Sequence, residues 1–170
     1  MTRNMSAPER LSHPFPALYD QNSRVLILGS FPSVKSRAQN FFYGHPQNRF
    51  WRVISALVGE PTPETISEKQ RLILTHHFAL WDVIASCEIT GSSDASIQHA
   101  VPNDLTPILA HSQIARVFTN GKTAGKLYDR YLLPKTGLPA QCLPSTSPAN
   151  AAWTFERLLE AWQAVLPQEK

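Results

Sequence analysis

The fold is decided by one stretch of sequence, Val25-Leu26-Ile27-Leu28 followed at once by Gly29-Ser30-Phe31-Pro32. Four consecutive apolar residues predict a strand that is buried on both faces, as in a parallel sheet. Glycine and proline then end the strand. We therefore expect a strand over residues 24–29, with a ligand-binding edge of the sheet at its carboxyl end.

The segment after this strand, residues 30–47, is predicted to be a long loop. It carries three consecutive aromatic residues, Phe41, Phe42 and Tyr43, together with several amides and hydroxyls. No Asp or Glu occurs in this segment or in the residues next to it. Side chains that stack and form hydrogen bonds without negative charge suit an uncharged flat ring beside an anionic backbone.

Strands alternate with helices along the rest of the chain. This order predicts an α/β fold, a three-layer α/β/α sandwich around a short, mostly parallel four-stranded sheet with right-handed crossovers. The two loops with the most unusual composition, 30–47 and 144–150, then lie at the carboxyl edge of that sheet. The predicted strands cover 24–29, 78–84, 115–119 and 140–143, and the predicted helices cover 48–58, 67–76, about 105–112, 122–132 and 151–166.

Local signals mark several boundaries between these elements. Ser67 with Gln70 has the spacing of a capping box, which predicts the start of a helix. Asn103 or Asp104 can cap the helix that follows. Residues 91–94 are predicted to form a polar loop because they combine glycine, serine and aspartate.

The composition is that of an ordinary globular chain. Its 170 residues are 42% hydrophobic and 17% charged, and this length is sufficient for a full core. Residues 1–23 contain three prolines and no sustained periodicity. We therefore expect a loose arm whose Phe15, Leu18 and Tyr19 cover one edge of a single domain over 24–170.

Cysteine use and hydropathy bear on location and cofactors. Cys87 and Cys142 are far apart and do not have the spacing of metal ligands, and an iron–sulfur cluster needs about four thiolates. We therefore expect no metal and no cofactor. Because the sequence has neither a signal-peptide pattern nor an apolar run that could span a bilayer, we expect a cytoplasmic protein without a membrane partner, and a monomer.

Positive charge is concentrated in one part of the sequence. The formal net charge is +3, and Asp129 is the only carboxylate between residues 105 and 155. This pattern predicts a side of the protein that faces phosphates. Lys122 opens a predicted helix, where backbone amides and an ammonium group together form an anion site. The basic residues of this region are Arg116, Lys122, Lys126, Arg130 and Lys135.

The signatures of several enzyme classes do not occur in the sequence. It contains no Gly-x-Gly-x-x-Gly, no nucleotide-hydrolase phosphate loop and no Gly-x-Ser-x-Gly elbow. The predicted rim loops hold no pair of carboxylates, which argues against an ordinary two-carboxylate glycosidase. If the chain is an enzyme, its site is predicted to use amides, hydroxyls and one histidine at most.

The residues around the first predicted helix allow more than one interpretation. Asn48 is either an N-cap of that helix or a carboxamide that orients a water molecule or a base edge. One of Phe41, Phe42 and Tyr43 is expected to stack on a base, which contributes roughly 1–3 kcal/mol, and at least one belongs to the core. His45 either contacts a phosphate or closes the turn before Pro46.

The loop at 144–150 places three hydroxyl side chains between two prolines. Asn150 is expected to cap the last helix. Ser145 and Ser147 are expected to hold a phosphate of DNA, while Ala149 approaches the duplex. A rigid loop without such contacts remains the structural alternative.

Together these motifs resemble the uracil-DNA glycosylase superfamily. Gly29-Ser30-Phe31-Pro32 takes the place of the first family motif, Gly-x-(Asp/Asn)-Pro. The run from His45 to Trp51 is similar to the His-Pro-x-Asn-Arg-Phe-Trp run of the mismatch-specific branch. Residues 144–150 take the place of the second motif, a wedge loop after the last strand. The resemblance covers about residues 20–166.

Two departures from the family pattern bear on mechanism. The family activates water with Asp or Asn at the third position of the first motif, whereas this chain has Phe31 there. That departure is similar to the hypoxanthine-DNA glycosylase branch, which implies that Asn48 is catalytic and that the substrate is deoxyinosine. In the second motif Ala149 replaces an apolar wedge such as leucine.

The resemblance also implies which residues bind the base and which bind the rest of the DNA. The partner is DNA that contains deaminated bases. Base binding is assigned to Gly29, Ser30, Phe31, Pro32, Phe42 and Tyr43, and DNA binding is assigned to His45, Lys122, Ser145, Ser147, Ala149 and Asn150.

Three rival functions follow from the same residues. The nearest is excision of uracil from G/U mismatches, because a pocket open enough for hypoxanthine also admits uracil. The second is a DNA- or nucleotide-binding module without catalysis, since Phe31 replaces the expected polar group. The third is an unrelated small-molecule enzyme with similar loops.

Overall fold

The computed structural model describes residues 9–90 and 96–167, and within them the chain forms seven strands and seven α-helices. The polar loop predicted at 91–94 lies outside the described residues. The strands are β1 Glu9–Ser12, β2 Val25–Gly29, β3 Phe78–Asp82, β4 Ile84–Ile89, β5 Gln98–Pro102, β6 Arg116–Asn120 and β7 Ala140–Leu143. The helices are α1 Val34–Gln39, α2 Phe50–Val58, α3 Ile66–Thr75, α4 Thr106–Ala110, α5 Lys122–Tyr131, α6 Leu133–Thr136 and α7 Phe155–Trp162, which a short 3₁₀ helix follows at Gln163–Val165.

The main sheet has four parallel strands in the order β3-β2-β6-β7. Its strands correspond to the four predicted ones, so the predicted α/β class is confirmed. The chain passes from β2 to β3 toward one edge of the sheet, and it passes from β6 to β7 toward the opposite edge. The carboxyl ends of β2 and β6 therefore lie at the point where the winding reverses, which is where such sheets bind ligands.

Helices cover both faces of this sheet. Side chains of a strand alternate between the two faces, and in β2 the side chains on both faces are apolar. Val25 and Ile27 belong to a core shared with α2, α3 and α7. Leu26 and Leu28 belong to a second core shared with α4, α5 and β4. The arrangement has the three layers that the sequence predicts. Among the described residues no helix has the length and apolarity needed to cross a membrane.

A second sheet was not predicted. Strands β1, β4 and β5 form an antiparallel sheet in the order β1-β4-β5. The described part of the N-terminal segment is therefore not a loose arm, because Leu11 of β1 pairs with Cys87 of β4. Phe15 is buried, and Leu18 forms a β-bridge with Leu80 of β3.

The strand predicted at 78–84 is split between the two sheets. It ends in the main sheet at Asp82, and after Val83 the chain continues as β4 of the second sheet. The backbone N–H of Val83 donates to the carbonyl of Gly29 at 2.8 Å. The Asn103 side chain donates to the carbonyls of Asp82 and Ile84, which stabilises this crossing. Asn103 is therefore not the cap of α4.

Three further boundaries differ from the prediction. The predicted loop at 30–47 contains α1, which Ser33 caps. The capping box of α3 is Thr65 with Glu68, rather than Ser67 with Gln70. The last helix begins at Phe155 instead of residue 151, with Thr154 as its cap, so Asn150 does not cap it.

Candidate active site

A cavity of about 720 Å³ opens at the carboxyl edge of the main sheet. The ends of β2, β3 and β6 contribute to its wall, as do the segments after β2 and β7. An adjoining groove of about 570 Å³ shares several wall residues with it and extends along the start of α5. The predicted site residues in the cavity wall are Gly29, Ser30, Phe31, Pro32, Phe42, Tyr43, Asn48, Ser145, Ser147 and Ala149, while Lys122 and Asn150 line the groove and His45 lines neither.

The carboxamide of Asn48 lies at the start of α2, where Arg49 rather than Asn48 holds the N-cap position. Its Oδ1 accepts a hydrogen bond from the backbone N–H of Phe50 at 2.9 Å, as a residue at a helix start does. The same oxygen accepts from the hydroxyl of Thr146 at 2.8 Å. Both acceptor sites of the oxygen are therefore occupied. The amide nitrogen donates to no protein group among the described residues, so Asn48 offers the cavity a donor.

Thr146 connects the segments that surround the cavity, and sequence reasoning did not select it. Its side chain is fully buried between those of Asn48 and Asn120. The hydroxyl accepts from Nδ2 of Asn120 at 3.0 Å, and the Thr146 backbone N–H donates to Oδ1 of Asn120 at 3.0 Å. This network fixes the orientation of both amides. The only sign of Thr146 in the sequence is its hydroxyl, between Ser145 and Ser147, which were both predicted to bind DNA.

Arg49 holds the loop after β7 against the start of α2. Its guanidinium donates to the backbone carbonyls of Ser147 and Asn150, each at 3.1 Å, and to that of Trp153. Its backbone N–H donates to the carbonyl of Thr146 at 3.0 Å. The residue next to Asn48 therefore sets the position of the loop that carries the hydroxyls.

The three consecutive aromatic residues have different surroundings. Phe41 is part of the core, where its ring stacks on Trp51 with centroids 6.1 Å apart. Phe42 lines the cavity and, together with Phe31, provides its aromatic wall. The ring of Tyr43 stacks on that of Phe50, with 4.1 Å between the centroids, so this face of the Tyr43 ring is covered. Tyr43 also has a φ of 53°, a backbone strain that costs on the order of 1–3 kcal/mol.

Hydrogen bonds inside the loop after β7 leave its hydroxyl protons available. Ser145 Oγ accepts from the N–H of Ser147, and Ser147 Oγ accepts from the N–H of Ala149, both at 3.1 Å. Asn150 Nδ2 donates to the carbonyl of Ser145 at 2.9 Å. Since a hydroxyl that accepts can still donate, both serines are able to bind a phosphate oxygen. His45 closes its turn, because its Nδ1 accepts from the N–H of Gln47 at 3.1 Å.

The wall contains a carboxylate that was not predicted there. Asp82 lines the cavity, and its Oδ2 lies 2.7 Å from Nε2 of His13. The two side chains are only 6% and 4% exposed. The Tyr43 hydroxyl nearby is buried and makes no hydrogen bond of normal geometry among the described residues, although the Asn120 side chain lies near it. Burial and the charge of Asp82 hold the pKa of the Tyr43 hydroxyl well above its usual value.

The expectation of a site without carboxylates is therefore wrong, although no second carboxylate lines this cavity among the described residues. His13 does not line the cavity itself but contacts Asp82, which does. Within the described part of the chain, no group of three or more His, Cys, Asp or Glu side chains is arranged to hold a metal ion.

Gly29 leaves the space that the Asp82 carboxylate occupies. A Cβ at position 29 would lie 2.4 Å from Asp82 Oδ1. We therefore expect Gly29→Ala to displace the carboxylate and to lower the free energy of unfolding by about 1–3 kcal/mol in denaturant titrations. Gly44→Ala is a matched control, since its new Cβ mainly meets the movable amide end of Gln39. Equal losses in the two variants would contradict a specific clash with Asp82.

Comparison with known proteins gives consistent matches over most of the chain. Residues 16–166 match the profile of the uracil DNA glycosylase superfamily. A Methanosarcina acetivorans protein named hypoxanthine DNA glycosylase is 37% identical over 153 residues, covering 89% of this chain and 95% of that protein. A Methanosarcina barkeri protein of the same name is 33% identical over 144 residues, covering 80% and 86%. The solution NMR structure of a candidate uracil DNA glycosylase from M. acetivorans aligns with a TM-score of 0.76 at 34% identity, covering 89% of this chain and 93% of that one.

Proposed function

Because the chain belongs to the uracil DNA glycosylase superfamily, we propose that it is a DNA repair glycosylase that excises hypoxanthine from deoxyinosine. The two relatives described above carry the name hypoxanthine DNA glycosylase. The observation that carries the proposal is the fixed amide of Asn48 in the cavity wall, with its oxygen bonded to Thr146 and its N–H groups left for a ligand.

The proposed reaction breaks the bond between C1′ of the sugar and N9 of the base. The base is first extruded from the helix, which costs a few kcal/mol and least for a badly paired base. The bonding electron pair leaves with the base, and the hydroxide part of a water molecule adds to C1′. The remaining proton of that water neutralises the departing base.

Asn48 is the proposed catalytic residue because of the charge that this reaction develops. Donors aimed at a developing negative charge stabilise a transition state most when they are fixed in advance. The Asn48 N–H groups are such donors in the cavity wall, and the backbone N–H groups of Phe31 and Ser33 are proposed to add to them. Phe31 and Phe42 are proposed to contact the faces of the base.

The groove beside the cavity is proposed to bind the DNA backbone. Lys122 at the start of α5 supplies positive charge, and Ser145 and Ser147 supply hydroxyl donors. His45 binds its own turn through Nδ1, which leaves Nε2 to donate to a phosphate. Ala149 and Asn150 lie on the same surface and are proposed to approach the duplex.

Duplexes with one modified base test this function directly. Strands that contain deoxyinosine or deoxyuridine are paired with each of the four bases, incubated with the protein and treated with hot alkali, which cleaves abasic sites. We expect cleavage at deoxyinosine and none at deoxyadenosine. Faster release of uracil than of hypoxanthine would favour the rival G/U activity. Tight binding of modified duplexes without any cleavage would contradict the enzyme and favour a binding module.

We also expect the chain to act as a monomer in the cytoplasm, with residues 24–170 as one domain. Cys87 and Cys142 are not joined by a disulfide. The molecular mass in solution, measured by light scattering, tests the monomer.

A further inference from the structure

One carboxylate oxygen in the cavity wall is free to bind a ligand. Asp82 ends β3 at the carboxyl edge of the sheet, and His13 occupies its Oδ2 at 2.7 Å. Oδ1 has no hydrogen-bond partner among the described residues, and it lies on the side where Gly29 has no side chain. A buried carboxylate is costly unless its oxygens are paired, so Oδ1 favours a ligand that donates a hydrogen bond.

A hydrogen-bond donor lies close to this acceptor. The Tyr43 hydroxyl is 3.4 Å from the point where a Gly29 Cβ would lie, and Asp82 Oδ1 is 2.4 Å from the same point. The hydroxyl is buried, and no hydrogen bond of normal geometry reaches it among the described residues, although the Asn120 side chain lies near it. Stacking on Phe50 fixes the ring that carries it. Since the hydroxyl stays protonated, the wall presents an acceptor and a donor next to each other.

This pattern matches one face of deaminated bases. Hypoxanthine has a ring N–H at N1 beside a carbonyl at C6, and uracil has the same pair at N3 and C4. Adenine and cytosine have the reverse pattern, a ring nitrogen lone pair beside an amino group. A carboxylate opposite such a lone pair is repulsive, and a site that leaves polar groups unpaired rejects its ligand strongly.

We propose that Asp82 and Tyr43 together recognise the N–H/C=O face that deamination creates, and that His13 is the positioning residue for Asp82. The inference rests on the proposed function for its ligand, a base extruded from DNA. Asp82 accepts from the ring N–H, and Tyr43 donates to the adjacent carbonyl oxygen. The pair therefore selects hypoxanthine over adenine by hydrogen-bond polarity rather than by size.

His13 reaches Asp82 from the N-terminal segment that follows β1. Its ring contacts Phe15 at 4.5 Å and Trp81 at 4.4 Å between centroids, so it has little freedom to rotate. By donating to Oδ2 it directs Oδ1 toward the cavity. Without this donor the carboxylate can rotate, and Oδ1 then no longer faces the ring N–H of the base.

Binding to duplexes that resist cleavage tests the proposal separately from catalysis. The duplexes carry a 2′-fluoro-arabino sugar with hypoxanthine, N1-methylhypoxanthine or adenine, and fluorescence anisotropy gives the three dissociation constants. We expect the wild type to bind hypoxanthine at least about 10-fold more tightly than either of the other bases. A wild type that binds all three equally would overturn the proposal.

Asp82→Asn separates hydrogen bonding from steric exclusion of the N1 methyl group. The variant has the same shape, but the His13 donor holds the amide oxygen and turns the amide N–H groups toward the base. We expect the preference for hypoxanthine over N1-methylhypoxanthine to fall by about 10-fold or more. We expect Tyr43→Phe to lower the preference for hypoxanthine over adenine. Preferences unchanged in both variants would mean that only shape is recognised.

A histidine series tests the positioning role. We expect His13→Leu to lower the same preference, and His13→Gln to restore part of it because glutamine can donate to Oδ2. His76→Leu is the matched control, since His76 also pairs with a carboxylate, Glu60, but lies outside the cavity. Equal effects of His13→Leu and His76→Leu would contradict the role of His13. Selective binding without cleavage of unmodified deoxyinosine would instead contradict the enzyme and leave the recognition pair supported.

Discussion

Asn48→Ala is expected to slow hypoxanthine release by about 100- to 1,000-fold under single-turnover conditions, because it removes a fixed donor from the cavity wall. The substitution also removes the acceptor for the Phe50 N–H and the Thr146 hydroxyl. Loss of a helix-start acceptor lowers the free energy of unfolding by about 0.5–2 kcal/mol. A loss of stability with a nearly normal rate would assign Asn48 to helix capping alone.

Asn48→Asp is the sharper variant, because it keeps the acceptor and removes the donor. A carboxylate at this position can still accept from the Phe50 N–H and from the Thr146 hydroxyl, so we expect the melting temperature to remain close to that of the wild type. Hypoxanthine release should nevertheless fall as far as in the alanine variant. An aspartate variant that is as fast as the wild type would show that position 48 acts through an acceptor, as a residue that activates water does.

Arg49→Lys is expected to have the second-largest effect. The guanidinium donates to three backbone carbonyls of one loop, and an ammonium group cannot span the same fork. Hydrogen bonds from charged donors contribute about 1.5–3 kcal/mol each, so we expect a loss of roughly 2–4 kcal/mol in the free energy of unfolding. Hypoxanthine release should fall by about 10- to 100-fold, because the loop also carries Thr146 and so orients Asn48.

Arg52→Lys is the control for Arg49→Lys, since both residues lie at the start of α2. The guanidinium of Arg52 lies over the ring of Phe155, 5.3 Å from its centroid, and does not reach the loop after β7. Chemical denaturation and single-turnover rates should change little in this variant. If the two lysine variants behave alike, the hydrogen bonds of Arg49 do not position the loop.

Features of the fold that depend on neighbouring residues could be predicted from the sequence. The apolar run at 25–28, the alternation of strands and helices and the positions of the rim loops are all local, and the resulting α/β class and superfamily are confirmed. The second sheet was missed because Glu9–Ser12 is a short polar strand whose partner lies far along the chain. Its periodicity gives no sign of pairing.

Sequence reasoning selected the loops around the cavity, but it did not select Asp82 in the cavity wall. Phe31 and Asn48 belong to family-like motifs, Phe42 belongs to the run of aromatic residues, and the structure brings all three to one cavity. Asp82 appeared to be an interior residue of a longer strand, because nothing local indicates that the chain leaves the main sheet after it. Its partner His13 belongs to a segment without a motif, so their proximity depends on tertiary structure alone.

The order in which the chain is synthesised gives the long-range contacts a further consequence. His13 and Asp82 lie 69 residues apart, and Asn48 and Thr146 lie 98 residues apart. A growing chain on the ribosome therefore lacks both the contact that fixes Asp82 and the contact that fixes Asn48 until its later segments have emerged. An unfinished chain would hold an incomplete pocket, so nascent or truncated forms should release no bases from intact DNA.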